Sequence, residues 1–281
     1  MISRVKHRIT FGLLLTYLAL VIISLVAIFP LLFTLSSSLK QPADLMGNPS
    51  GLIPMRPTLH YYVKLLTVFS MLIYLKNSMI VTLLTVMISI VLSSFAAYSA
   101  VRFYPRFGRK IIYALIFTYM FPHYVLAIPF YFTMSRLHLI NTFLGLTIAY
   151  LSFTIPFSMY VLIGFFQSVP IEIEQASTID GASRFQTFSL IAVPLTAGGI
   201  VATAAFAFIN AWNEFLYALI LVGTGKRQTV AVALYSVYGG EVYDWGGMLA
   251  ACVIVIIPSL LFFFLVQKWI GAGMTAGAVK G

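Results

Sequence analysis

Residues 170–194 read PIEIEQASTIDGASRFQTFSLIAVP, a polar interruption that follows four long apolar runs. Pro170 suits the start of a helix, where its missing N–H would have no intrahelical partner anyway. Glu172 and Glu174 follow where the helix dipole favours negative charge. Ile173, Ala176 and Asp180 fall near one face of that helix and give it a partly apolar side. Gly181 can take the left-handed conformation that ends a helix without a Cβ clash. Ser183 and Gln186 then have capping-box spacing, Phe185, Phe188 and Ile191 recur at intervals of three, and Pro194 marks a joint with the next apolar run. The expectation is a stiff helix-turn-helix, suited to act as a lever because a flexible loop would absorb a motion instead of transmitting it.

Working outward, apolar residues make up 61% of the 281 and charged residues 9%. With a mean hydropathy of +1.00, the chain lies outside the range of soluble domains. Six runs reach the roughly 20 apolar residues that a bilayer core requires: about 10–34, 78–100, 111–134, 142–166, 196–222 and 247–270. The reading is an all-α membrane protein with six transmembrane helices in a single domain, 1–281. The first run follows Arg4, Lys6 and Arg8, but it is longer than the core of a secretion signal and no small-x-small cleavage site follows it, so it is expected to be retained.

The net charge of +10 suggests nucleic acid only until the charges are placed. Four of the nine residues from Arg102 to Lys110 are basic, as are three of the first eight, while the long stretch from Lys40 to Lys76 holds four. This asymmetry favours cytoplasmic termini and a cytoplasmic 101–110 loop, and no basic face of a nucleic-acid-binding module is visible. The connections then alternate, with 35–77, 135–141 and 223–246 outside and 101–110 and 167–195 inside. In the first outside loop, Pro42, Gly47, Pro49, Gly51, Pro54 and Pro57 disfavour regular structure. Residues 59–69 have an apolar face at helical spacing that suits a membrane surface.

Polar groups inside the spans are few. Glu214 is the carboxylate well inside a run, and an unpaired intramembrane charge is costly. Asn210, Asn213 and Tyr217 lie at i, i+3 and i+7 beside it, a polar stripe expected to face the bundle interior, with Trp212 off that stripe. Such groups serve either a solute pathway or hydrogen bonds between helices. Pro122, Pro129 and Pro156 lie within runs and imply kinks or a cavity border. Cys252 reads as a small buried hydrophobe. Gly223-Thr224-Gly225-Lys226 fails the phosphate-loop pattern, because Ile220 occupies the first glycine position and Arg227 follows the lysine. His7, His60, His123 and His138 are scattered, so no metal site and no catalytic cluster is expected.

The spacing of Gln175-Ala176-Ser177, Asp180-Gly181-Ala182 and Ile191-Ala192-Val193-Pro194 closely resembles the cytoplasmic coupling loop of bacterial ABC importer permeases: Glu-Ala-Ala, two residues, Asp-Gly-Ala, eight residues, Ile-x-Leu-Pro. Gln175 and Ser177 depart from it. The resemblance continues through Asn77-Ser78, Ala96-Ala97-Tyr98, Ile128-Pro129-Phe130-Tyr131, Asn141-Thr142, Gly145-Leu146, Pro156-Phe157, Gly164-Phe165-Phe166 and Asn210-Ala211-Trp212-Asn213-Glu214-Phe215, and these segments look like the carbohydrate-uptake branch. The tail Gly273-Met274-Thr275-Ala276-Gly277-Ala278-Val279-Lys280-Gly281 resembles that of the maltose transporter's second permease.

What the resemblance implies is a type I ABC importer permease in the bacterial plasma (inner) membrane, with residues 170–194 docked on an ATPase. Glu174, Gln175, Ala176, Ser177, Asp180, Gly181, Ala182 and Pro194 would form the coupling site. Family members use the carboxylate at the position of Gln175 against a basic residue of the ATPase; Glu174 is adjacent, about 100° around the helix. Asn210, Asn213, Glu214 and Tyr217 would line a sugar pathway. Gly239, Gly240, Glu241, Tyr243 and Trp245 would meet the binding protein, and the tail would reach between the ATPase subunits. The implied partners are a second permease, an ATP-binding subunit dimer and an extracytoplasmic solute-binding protein, with ATP and Mg held by the ATPase and no cofactor in this chain. Two alternatives remain: an ion-coupled secondary transporter, which usually has internal repeats and broken helices around a midplane site, and the same architecture importing a non-sugar solute.

Overall fold

The computed structural model describes residues 11–120, 122–238 and 244–278, and every regular element among them is helical. Four helices are long and apolar enough to cross a membrane: Gly12–Ser38, Met71–Arg102, Phe143–Ser168 and Trp245–Trp269. Two bent pairs, α5 (Pro105–Met120) with His123–Arg136 at 82° and Arg184–Leu195 with Ala197–Asn213 at 76°, raise the number to six if each pair is one span.

Two expected spans are therefore not straight. Run 111–134 breaks around Pro122, which sits at φ −62° and ψ 106° and has no N–H to continue a helix. A 3-10 turn His123–Leu126 and helix α6 (Ala127–Arg136) follow it. Run 196–222 divides into α11 (Ala197–Asn213) and α12 (Leu216–Val222). The cause is Glu214, extended at ψ 130°, whose carboxylate accepts from the backbone N–H groups of Tyr217 at 2.8 Å and Ala218 at 3.0 Å. It thereby caps the first turn of α12 and takes donors that a continuous helix would have used.

The chain divides into two compact units. In the first (residues 1–69 and 241–254), α1 (Phe11–Ser38) is apolar around its whole circumference, and its membrane window buries nothing within the protein. Contrary to expectation, the proline-rich segment contains a short helix, α2 (Pro42–Gly47). Pro42 stands in the first turn, where a missing N–H is harmless. Lys40 is 2% exposed, and its ammonium donates to the carbonyls of Asn48 at 3.2 Å and Pro49 at 3.0 Å. Helix α3 (His60–Thr67) turns Tyr61 and Leu65 inward. Lys64 pairs with Asp244 at 2.8 Å, and Asp244 accepts from Gly247 N–H at 3.0 Å at the start of α14 (Trp245–Ala278).

In the second unit (residues 70–240 and 255–281), α4 (Met71–Arg102) packs along α7 (Phe143–Ser168). The buried face of α4 carries Ser78, Thr82, Thr85, Ser89, Ser93 and Ala97. Small residues suit this seam, because lipid is as apolar as a side chain and close packing with hydrogen bonds must hold the helices together. Ser89 and Ser158 hydroxyls meet at 3.2 Å, and Ser93 donates to the Ile155 carbonyl at 3.3 Å beside Pro156. At the start of α4, Asn77 donates to the carbonyls of Lys226 at 2.8 Å and Gln228 at 2.9 Å, just before α13 (Val230–Tyr238).

Candidate functional site

The 170–194 segment forms a helix-turn-helix. Pro170 stands at the N-cap of α8 (Ile171–Ile179). Gly181 is at φ +89°, and the turn carries both hydrogen bonds of a Schellman motif: Ala182 N–H to Ser177 O at 3.0 Å and Gly181 N–H to Thr178 O at 3.1 Å. The next helix opens with a complete capping box, Ser183 and Gln186 satisfying each other's backbone N–H groups. It runs through α9 (Arg184–Gln186), a π turn (Thr187–Ala192) and α10 (Val193–Leu195), and turns 76° into α11.

The two sides of α8 differ sharply. Gln175, Ala176, Ile179, Asp180 and Gly181 are exposed, as are Phe185 and Leu190 on the second helix. Glu174 and Ser177 are buried against the protein's own helices. Arg102, the last residue of α4, lies 2.7 Å from the Glu174 carboxylate through Nη2 and donates to it from Nε at 2.8 Å. The Tyr98 hydroxyl donates to its other oxygen at 2.8 Å. Ser177 meets the Thr187 hydroxyl at 2.9 Å, joining α8 to the π turn. Phe188 stacks on Phe95 at 4.7 Å and lies 5.0 Å from Tyr98, within a core of Ala97, Met159, Leu162, Ile163 and Phe166. A carboxylate with this many charge-assisted partners is held strongly in place. The helix-turn-helix is thus anchored on the ends of α4 and α7.

The expected surface therefore divides. Gln175, Ala176, Asp180, Gly181 and Pro194 point outward and Ala182 is half-buried, whereas Glu174 and Ser177 face inward. Glu174 does not stand in for the carboxylate missing at Gln175, because one residue along α8 carries it round to the Arg102 side. Neither Arg102 nor Tyr98 was legible as its partner: 72 and 76 residues separate them from Glu174, and no periodicity spans that gap. The Glu172-x-Glu174 pattern at a helix start offered only the dipole reading.

The polar stripe does not form on one helix face, because the chain is broken at Glu214 and Phe215. Asn210 borders a cavity of about 410 Å³ with Tyr119, Pro122, His123, Ser152, Phe153 and Phe206 among its walls. Asn213 is exposed and bonds its own helix at Ile209 O, 2.9 Å away. Glu214 and Tyr217 are buried, and the Tyr217 hydroxyl donates to His123 O at 2.7 Å. Trp212 is also buried. Residues 239–243 and 279–281 lie outside the described residues, so Gly239, Gly240, Glu241, Tyr243 and the end of the tail have no structural account; Trp245 is exposed. Among the described residues, no group of three or more His, Cys, Asp or Glu side chains is placed to hold a metal ion.

Residues 89–276, which include the 170–194 helix-turn-helix and its anchoring core, match the family model described as binding-protein-dependent transport system inner membrane component. The chain belongs to this family. The permease is 34% identical over 266 residues to the trehalose/maltose transport system permease protein MalG of Thermococcus litoralis, covering 93% of this chain and 94% of the relative. It is likewise 34% identical over 257 residues to the trehalose transport system permease protein SugB of Mycobacterium tuberculosis, covering 91% and 93%. Its fold is similar to a chain of a bacterial ABC transporter involved in the import of the acidic polysaccharide alginate, with a TM-score of 0.77 at 22% identity over 95% of this chain and 99% of the other. This permease is accordingly a multi-pass membrane component of a transport system and not itself an enzyme.

Proposed function

We propose that this permease is one of two non-identical membrane subunits of an ATP-driven, binding-protein-dependent importer of a sugar or oligosaccharide, crossing the bacterial inner membrane six times with both termini in the cytoplasm. The observation that carries the mechanism is the division of α8, with Glu174 and Ser177 tied into the spans and Gln175, Ala176, Asp180 and Gly181 free on the other side. That outer face is the docking surface for an ATPase, which holds ATP and Mg and hydrolyses the nucleotide. An extracytoplasmic binding protein delivers the solute at the opposite end, where residues 239–245 belong to its contact.

The transport cycle is alternating access. Nucleotide-bound and nucleotide-free ATPases must hold the 170–194 element differently, because a ligand shifts an equilibrium only by its differential affinity for the two states. The sugar reading is supported by the substrates named for the trehalose and maltose relatives. The cavity beside Asn210 has the aromatic walls and amide partner that a sugar ring uses, and we assign it to the pathway, with Glu214 and Tyr217 supporting its wall.

The test is a mild-detergent pull-down followed by solute-stimulated ATPase and uptake assays. Recovery of a second permease and an ATPase is expected, and Gly181→Asp should remain membrane-inserted while losing solute uptake. Recovery of a lone chain that transports solute without ATP would overturn the proposal.

A further inference from the structure

The joint between α7 and α8 is a proline-made break at which one side chain holds two of the freed carbonyls. In a continuous helix the Phe166 carbonyl would accept from the N–H of residue 170, but Pro170 has none. The Val169 carbonyl precedes the N-cap of α8 and lies outside its ladder. Arg102 Nη2 donates to both, at 3.0 Å to Phe166 O and 2.8 Å to Val169 O, while the same guanidinium binds Glu174. Its side chain is 12% exposed and that of Glu174 is 8% exposed. Three elements thus meet at one planar fork: the end of α4, which carries Arg102; the end of α7, through its carbonyls; and α8, through its carboxylate.

We propose that Arg102 is the positioning residue that makes the α7–α8 joint rigid, so that displacement of α8 by the ATPase carries α4 and α7 with it. This rests on the importer reading above. Without the fork, the joint retains two unpaired carbonyls just before a proline, and the pull of the ATPase bends the joint instead of moving the spans. Lysine keeps the charge, but a single ammonium does not reproduce the fork's fixed directions. The role differs from that of a simple ion pair. An ion pair tolerates exchange of its partners, whereas a carboxylate at position 102 would face two carbonyl oxygens.

The experiment uses the complete transporter, purified through its ATPase and reconstituted, with solute transported per ATP hydrolysed as the readout in complexes that have assembled. Arg102→Lys is expected to lower that ratio at least tenfold, and the exchanged pair Arg102→Glu with Glu174→Arg is expected not to restore it. Tyr98→Phe removes a single bond to the same carboxylate and should lower the ratio two- to threefold; it provides the readout if Arg102→Lys does not assemble. A ratio unchanged in assembled Arg102→Lys or Tyr98→Phe complexes, or restored to the original value by the exchanged pair, would overturn the proposal. If the unaltered chain binds no ATPase, the importer reading itself fails, a result distinct from each of these.

Discussion

Replacing Gly181 isolates the conformational requirement of the turn after α8 from its packing. Gly181 sits at φ +89°, and a Cβ added there would meet nothing within 4 Å. The cost of Gly181→Ala is therefore that of holding an L residue in the left-handed region, about 1–2 kcal/mol. Part of this is offset because alanine has less unfolded-state entropy to lose, about 0.4–1 kcal/mol. The net is about 1 kcal/mol, or roughly a fivefold larger opening equilibrium at the turn. Asparagine enters this region far more readily, so Gly181→Asn should recover most of the difference. The amides that report it are those of residues 181 and 182, which close the Schellman motif onto Thr178 and Ser177. Hydrogen exchange in detergent, resolved to these amides, should be about fivefold faster in Gly181→Ala and within about twofold of the original in Gly181→Asn. Equal rates in all three proteins, or an acceleration spread evenly along α8, would refute the argument. The first result would mean that the turn does not depend on its left-handed residue, and the second that the loss is not local.

Gly246 presents the opposite case, because its added Cβ would lie 2.0 Å from the Tyr61 ring. Gly246→Ala should lower thermal stability through overpacking, at a cost of about 1–3 kcal/mol, and a second change, Tyr61→Ala, should relieve it; an unshifted unfolding midpoint in the single variant would sink this reasoning. Partial burial opposes ionisation of Asp244, but hydrogen bonds from Lys64 and the Gly247 N–H, with the positive charges of Lys64 and His60, outweigh it and hold the carboxyl below its ordinary range. A depressed carboxylate stabilises the fold above its unfolded value and loses that contribution as pH falls through the folded one. Protection of the Gly247 amide should therefore persist through mildly acidic pH and fall below the usual carboxylate range, and Asp244→Asn should abolish that step, as measured by exchange rates corrected for intrinsic pH dependence.

The sequence was most informative where chemistry is local. Ser183 and Gln186 announce a capping box because the two groups that satisfy each other are three residues apart, and Gly181 announces a left-handed turn because few other residues enter that region without strain. Continuous apolar runs reveal bilayer helices for the same reason: lipid contact is a property of each residue along the run. Where two local preferences competed, the sequence misled. Run 196–222 is apolar enough for one helix, yet the buried Glu214 captures backbone donors and divides it. Pro122 likewise implied a kink or a cavity border, and the structure has a break of 82° with Pro122 on a cavity wall.

Composition, spacing and turn chemistry alone determined that this protein is an all-helical membrane component and that residues 170–194 form a helix-turn-helix. Those properties follow from interactions with lipid or with residues a few positions away. Only the tertiary structure decided which side of α8 is free. Glu174 and Gln175 are neighbours and chemically similar in size, but Tyr98 and Arg102 lie beside one and not the other, so one is buried and the other exposed. A charge buried by a partner more than 70 residues away leaves no periodic trace, because the fold brings the two together and the intervening chain does not.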